Sequence, residues 1–354
     1  MTNKISRRAV LQAATAVAAL PAAACSGKQD LPLPPNAPIG PFGSESTAEE
    51  VTAGINLSGK VALVTGCNSG IGYETMRVLA LRGAHVIGAA RTEAKAAQAC
   101  ESVPGLTSPA VIELSDFDSI VTASEKIRAT FPRIDIIICN AGIMELPELE
   151  QVYGLEKHFV VNHLGHFLLV NLLLEQIQAA PQGRVLAVSS GQSTRSAPED
   201  GIQFGQLSGE SWYSPEKGYG HSKLANALFS LELAKRLEGT AATSNALTPG
   251  VIPTNLGRHM PRWKPLVLET LGKPFTKTIP QGAATSCYVA TAKALNTESG
   301  WFFKDCNPHR PGGQTENAEM AAELWSTSAE LVAPWLAPKI STAAHFAFGG
   351  LSIR

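Results

Sequence analysis

Short apolar runs alternate with longer segments of helical character through the middle of the chain. Val61-Ala-Leu-Val-Thr65 is a strand-length run that ends in a glycine cluster, and 72–81 then reads as a helix. Ala84-His-Val-Ile87 predicts a second strand, followed by an alanine-rich helix from Thr92. Ala110-Val-Ile-Glu-Leu114 predicts a third, with a helix from Asp116 to about Thr130. Ile134-Asp-Ile-Ile-Ile-Cys139 and Val185-Leu-Ala-Val188 continue the series, separated by a long helix over 162–178. Strands that are apolar almost throughout are buried on both faces, as in a parallel sheet covered by helices on either side. The expected fold class is therefore α/β, a doubly wound parallel sheet in a single domain, with its ligand beyond the carboxyl ends of the strands.

The two ends of the chain break this pattern. Ser6-Arg7-Arg8-Ala9-Val10-Leu11-Gln12 precedes an alanine-rich stretch that carries no charge until Lys28. A basic start, an apolar stretch and the small residues Ala22-Ala23-Ala24 are the parts of an export signal, and the paired arginines resemble the twin-arginine type. A membrane anchor is the competing reading, because 9–27 nearly reaches the ~20 residues of a span. On the export reading the protein is periplasmic, or held at a membrane facing the periplasm through a lipidated Cys25. Five prolines lie between Asp30 and Gly43, which favours extended chain without a core of its own. The expected division is 1–24 signal, 25–56 tether, 57–334 α/β domain and 335–354 extension.

Composition narrows the function by exclusion. The 354 residues carry 29 Lys+Arg against 30 Asp+Glu, so no basic footprint for nucleic acid is present. At 44% hydrophobic residues the chain has ample material for a core. Six cysteines show no CxxC pair and no zinc-like spacing. His158, His163 and His166 lack a supporting carboxylate or cysteine set, so structural roles are expected and no metal. No GxSxG occurs, which disfavours a serine hydrolase.

Thr65-Gly66-Cys67-Asn68-Ser69-Gly70-Ile71-Gly72 sits directly between the first strand and its helix. Glycines there let the backbone turn tightly and approach a pyrophosphate at the helix N-terminus, where free N–H groups favour anions. A purely structural turn is the bland alternative.

Further motifs fall in register behind that loop. TGxxxGIG, Asn140-Ala141-Gly142, Ser189-Ser190 and Tyr219-xxx-Lys223 together resemble the short-chain dehydrogenase/reductase family, whose fold is Rossmann-type. More narrowly, Val161-Asn-His-Leu-Gly-His-Phe167, Tyr219-Gly-His-Ser-Lys-Leu-Ala-Asn226, Pro249-Gly-Val-Ile-Pro-Thr-Asn-Leu256, Gln281-Gly-Ala-Ala-Thr285 and Gly300-Trp-Phe-Phe-Lys-Asp-Cys306 are similar to its retinol-dehydrogenase-like branch. That branch also contains WW-domain oxidoreductase and protochlorophyllide reductase. The similarity covers about 57–333.

The resemblance implies an oxidoreductase that moves a hydride between a nicotinamide and a carbonyl/alcohol pair. A tyrosine, with a pKa near 10, needs help to act as acid and base at neutral pH. A lysine four residues later on a helix shares its face, and its charge, with that of the oxidised nicotinamide, is expected to lower the tyrosine pKa. The expected catalytic residues are Asn162, Ser190, Tyr219 and Lys223, with Ser189 the neighbour that could be confused with Ser190. The resemblance gives Asn162 a water in the lysine proton relay and Lys223 the nicotinamide ribose. Expected cofactor contacts are Gly66, Asn68, Ser69, Gly70, Ile71, Gly72, Arg91, Glu113, Leu114, Asn140, Ala141, Gly142, Pro249, Gly250, Ile252 and Thr254, besides Tyr219 and Lys223. Arg91 follows the second strand, where an arginine accommodates the 2′-phosphate of NADP and a carboxylate would bind the NAD ribose. NADP(H) is therefore the expected cofactor, with NAD(H) as the alternative.

Glu113 stands where relatives have an aspartate near the adenine, and Cys139 replaces the first Asn of the usual Asn-Asn-Ala-Gly. The apolar residues between Asn255 and Lys277, among them Met260, Trp263 and Phe275, suit either an apolar substrate or the protein's own core. A non-catalytic dinucleotide sensor on the same fold stays as the second reading. The sequence leaves substrate, direction and oligomeric state open.

Overall fold

The computed structural model describes residues 30–253, 256–257 and 276–337. An eight-stranded sheet forms its centre, built from β1 (Val61–Thr65), β2 (His85–Ala90), β3 (Thr107–Val111), β4 (Ile136–Cys139), β7 (Arg184–Val188), β8 (Thr243–Thr248), β9 (Phe302–Lys304) and β10 (Asn307–Pro308). The order is β10-β9-β8-β7-β4-β1-β2-β3, and every neighbouring pair is parallel except β9 with β10. A small hairpin, β5 (Gln151–Val152) with β6 (Leu155–Glu156), stands apart. From β1 the chain winds outward to β3, then returns to β4 on the other side of β1. The switch point between β1 and β4 is where such a sheet opens a crevice for its ligand.

The helices are α1 (Ala48–Val51), α2 (Gly70–Leu81), α3 (Glu93–Glu101), α4 (Phe117–Thr130), α5 (Gly165–Leu172), α6 (Leu174–Gln178), α7 (Gln192–Arg195), α8 (Pro215–Arg236), α9 (Ile279–Thr291) and α10 (Ala318–Leu336). They divide between the two faces by strand alternation. In β1, Leu63 points into one core with α4, α5, α8 and α10, while Ala62 and Val64 enter the other with α1, α2, α3 and α9. This is the doubly wound α/β fold expected from the apolar runs.

Two boundaries differ from the hydrophobic reading. The third strand is Thr107–Val111, ahead of the predicted 110–114, because pairing with β2 begins at Thr107. It is an edge strand, which is why Pro109 is tolerated within it. The helix expected over 162–178 is broken into a π-helical turn, Phe159–Leu164, followed by α5 and α6.

The expected tether is corrected more substantially. Within 30–56, α1 is closed by a capping box between Thr47 and Glu50 and buries Ala48 and Val51. Arg77 bridges it to α2, 2.6 Å from Glu49 and 2.8 Å from Glu74. Phe42 meets the edge of Tyr288, the Gly40 N–H donates to Asn307 Oδ1, and the Leu31 N–H donates to the Arg310 carbonyl. A proline-rich segment has no core of its own, but extended chain can lay apolar residues on a surface built by the rest of the fold. Shortening the chain to begin at Leu57 is expected to cost at least the ~1.5–3 kcal/mol of one fully buried valine. Urea unfolding of the two lengths checks this: equal midpoints would show that the segment contributes nothing. The boundary between domain and extension likewise falls inside a helix, since α10 continues to Leu336. Trp325 on that helix packs on Phe167 and Phe229 and lies 4.3 Å from the Arg236 guanidinium.

Candidate active site

The crevice begins at the end of β1. Gly66 has φ +72°, a conformation that side chains other than glycine rarely adopt. A Cβ on Gly72 would lie 2.3 Å from the Gly66 carbonyl oxygen and 2.4 Å from Asn140 Nδ2. The loop therefore closes on itself and on the strand beside it. Thr65 Oγ1 accepts from the Asn140 and Ala141 N–H groups at 2.9 and 3.0 Å, and Asn140 Nδ2 donates to the Thr65 carbonyl at 2.8 Å. These bonds hold the β1 and β4 loops together at the switch point. Ser69, the N-cap of α2, makes no side-chain capping bond, so the helix offers unclaimed N–H groups to an anion.

A cavity of about 590 Å³ opens over this loop. It gathers Gly66, Asn68, Ser69, Gly70, Ile71, Gly72, Arg91, Glu113, Leu114, Asn140, Ala141 and Gly142 from the tips of β1 to β4. Its shape and its glycine cradle suit a dinucleotide. Arg91 is exposed on its wall and makes no ion pair among the described residues. Glu113 spends its carboxylate on its own turn, accepting from Ser115 N–H at 3.1 Å and Oγ at 2.8 Å. Ile252 lies outside the lining but close to Ile71, both packing over Gly282, and Gly250 (φ +93°) lies under the Lys277 stem. Pro249 directly precedes it, and Thr254 lies outside the described residues.

The second half of the site is carried by α8. Ser214 caps the helix and Pro215 opens it, so Tyr219 and Lys223 lie one turn apart near its N-terminal end. Lys223 Nζ is 5.7 Å from the Tyr219 ring centre and donates to the Val188 carbonyl at 2.9 Å. Ser190 Oγ accepts from the Gln192 N–H at 3.2 Å and its influence favours ionisation of the Tyr219 phenol, whereas Ser189 Oγ donates to the Lys223 carbonyl at 2.7 Å. The two serines are thus distinguished: Ser189 docks α8 on β7, and Ser190 faces the phenol. Burial pushes Tyr219 up to about 12, with Ser190 pulling the other way. Burial also draws Lys223 down to about 8, against the influence of neighbouring Cys139. Desolvation is the largest influence on Tyr219 and keeps it a neutral phenol in the protein alone.

Asn162 lies in the π-helical turn, a distortion frequent at functional sites. Its Oδ1 accepts from the Ile143 N–H at 2.8 Å, and its Nδ2 donates to the Ile143 carbonyl and Ser222 Oγ, both at 2.9 Å.

Comparison with known proteins agrees with this arrangement. The short chain dehydrogenase profile matches residues 60–201. Short-chain dehydrogenase TIC 32 B, chloroplastic, of Brassica napus is 40% identical over 82% of this chain and 94% of its own length. This chain belongs to the short-chain dehydrogenase/reductase family. Human retinol dehydrogenase 12 is 41% identical, covering 78% of this chain and 88% of its own, and human WW domain-containing oxidoreductase is 37% identical, covering 82% and 72%. A crystal structure of an uncharacterised protein from Mycobacterium paratuberculosis superposes with TM-score 0.63 at 30% identity, covering 80% of this chain and 97% of that one. As a short-chain dehydrogenase/reductase the chain is an NAD(P)-dependent oxidoreductase acting on a small-molecule substrate.

The same comparison overturns the export reading. A relative matched over 82% of this chain is by its name chloroplastic, and the periplasmic assignment is withdrawn. Among the described residues no helix is long and apolar enough to cross a membrane. Arg7, Arg8 and Cys25 lie outside the described residues.

His158, His163 and His166 of this dehydrogenase are each engaged internally. His158 Nδ1 is 2.6 Å from Glu156 Oε1, and its Nε2 accepts from the Leu146 N–H at 3.3 Å. His163 Nε2 is 2.8 Å from Ser328 Oγ, while His166 contacts Thr65 and the Asn162 carbonyl. Several wall residues were not singled out from the sequence: Ser115, Ile143, Leu146, Val161 and Leu256. Val161 and Leu256 belong to motifs already recognised; the others follow strands, and nothing local in the sequence marks them.

Proposed function

We propose that this short-chain dehydrogenase/reductase uses NADP(H) in preference to NAD(H) to interconvert an apolar carbonyl with its alcohol. The observation that carries the cofactor preference is Arg91, exposed on the cavity wall beyond β2 with no carboxylate partner among the described residues. A guanidinium there is placed for the ribose 2′-phosphate. The glycine cradle and the uncapped end of α2 suit the pyrophosphate. Apolar substrates are supported by exposed Val251 and Ile279, which flank the segment leading to and from 254–275, and by a relative whose name is retinol dehydrogenase.

The bound nicotinamide would supply or accept the hydride. Tyr219, held as a phenol, is placed to give its proton to the alkoxide that forms on the substrate oxygen. The Ser190 hydroxyl donates to that oxygen and holds it against the phenol. Lys223, whose ammonium form dominates below about pH 8, is placed for the nicotinamide ribose and for returning a proton toward Tyr219. Asn162 is placed to keep the Ile143 loop and the Tyr219 turn in register. The pairing of a buried phenol with a serine that influences its ionisation favours this reading over a cofactor sensor, which needs neither group.

Arg91→Ala is expected to weaken NADPH by about 1.5–3 kcal/mol, toward the lower end because the side chain is exposed. NADH should be nearly unaffected. Fluorescence titration of both nucleotides measures this, and a wild-type preference for NADH would sink the assignment of Arg91.

A further inference from the structure

We propose that His166 is a positioning residue for the reaction, tying the base of the glycine loop to Asn162. The inference rests on the reading of Tyr219 as proton donor, and it concerns a residue that touches neither substrate nor cofactor.

The geometry fixes both ring nitrogens. His166 is buried, with Nδ1 2.9 Å from the Asn162 carbonyl oxygen and Nε2 2.9 Å from Thr65 Oγ1. A carbonyl only accepts, so Nδ1 carries the proton. Burial pulls the imidazole down to about 4, so the ring is neutral at physiological pH and Nε2 is an acceptor. Of the two acceptors within reach of the Thr65 hydroxyl, Nε2 at 2.9 Å is nearer than the Ile138 carbonyl at 3.3 Å, so Thr65 gives its proton to Nε2. Its oxygen already accepts from the Asn140 and Ala141 N–H groups, so the hydroxyl is used in both senses.

A continuous chain of hydrogen bonds results. It runs from the loop after β4 through Thr65 and His166 to the Asn162 carbonyl. From the Asn162 side chain it continues to Ile143 and Ser222, and Ser222 Oγ donates to the Tyr219 carbonyl at 2.8 Å. Both Asn162 amide N–H groups are consumed by the protein, and its backbone carbonyl accepts from His166 Nδ1. The His166 ring sets that carbonyl's direction. The turn that carries it is π-helical, with the Gly165 N–H bonded to Val160 five residues back. Such a widened turn needs outside support, and His166 supplies it from one turn ahead. A misplacement of about 1 Å at such a group can cost about 10²-fold in rate.

The experiment uses the full chain and three variants. His166→Phe keeps a ring and removes both hydrogen bonds; His166→Asn places an amide N–H near the Nδ1 position; His166→Gln reaches toward Thr65 and leaves the Nδ1 place empty. Nitrogen-15 NMR of labelled histidine should show the Nδ1–H tautomer and no titration from pH 5 to 8. Hydrogen exchange across 159–164 and at Ile143 should rise about tenfold or more in the Phe variant, with distant strands unchanged. Its kcat should fall about 10–100-fold, with NADPH affinity held within about threefold, and the Asn variant should recover most of the loss.

An Nε2–H tautomer, unchanged exchange, or an Asn variant as impaired as Phe would each overturn the proposal. If the Phe variant does not fold, the other two decide: Asn must retain more kcat than Gln, and the reverse order overturns it. A wild type that binds NADPH yet reduces no carbonyl would refute the reading of Tyr219; the tautomer and exchange measurements would still judge His166.

Discussion

Tyr219→Phe is expected to lower kcat by about 10²–10⁴-fold while leaving NADPH affinity nearly intact. The phenol is buried beside Ser190, and the substitution removes one oxygen without changing the ring that fills the space. Its effect should therefore fall on proton transfer and leave folding largely alone. The pH dependence has a definite sign. Burial raises the Tyr219 pKa to about 12, so the proton needed for carbonyl reduction is present throughout the neutral range and is lost only as pH rises through that value. Alcohol oxidation needs the phenolate and should accelerate with rising pH. Steady-state kinetics in both directions, with nucleotide titration of the variant, measure these effects. Undiminished turnover by the Phe variant, on any substrate of the wild type, would remove Tyr219 from the mechanism.

Gly72→Ala is expected to weaken dinucleotide binding by about 10–100-fold, from about 1–3 kcal/mol of overpacking. The added methyl would stand 2.3 Å from the Gly66 carbonyl oxygen and 2.4 Å from Asn140 Nδ2. The first is backbone, and the second is held by its bond to the Thr65 carbonyl, so neither can move aside cheaply. Relief requires opening the loop at the place a pyrophosphate would sit. Calorimetric titration of NADPH and NADH should show both weakened alike, in contrast to Arg91→Ala. Wild-type affinity for both nucleotides would show that the loop is not the cradle.

Much of this architecture was legible along the chain. The apolar runs at Val61–Thr65, Ile134–Cys139 and Val185–Val188 are buried on both faces, and a residue pattern without alternation can mean little else. The glycine loop was legible for a similar reason: its requirements are local, set by backbone conformation within a few residues. Tyr219 and Lys223 were legible because helical spacing alone puts them on one face. The third strand was misplaced because its sequence, Thr107-Ser-Pro-Ala-Val111, is polar and proline-bearing, and only pairing with β2 makes it a strand.

The sequence by itself determined the fold class and the position of the glycine loop that the cavity opens over, because each depends on local periodicity or local backbone freedom. Tertiary structure decided the rest. It separated Ser190 from Ser189 by giving the latter the Lys223 carbonyl, a partner 34 residues away. It turned the supposed tether into a strap, because Val51 and Phe42 find apolar partners only after α9 has folded. It set the direction for Tyr219 in the protein alone, because desolvation depends on everything packed around the ring. And it joined Thr65 to Asn162 through His166, across 101 residues of chain, a contact that no spacing along the sequence encodes.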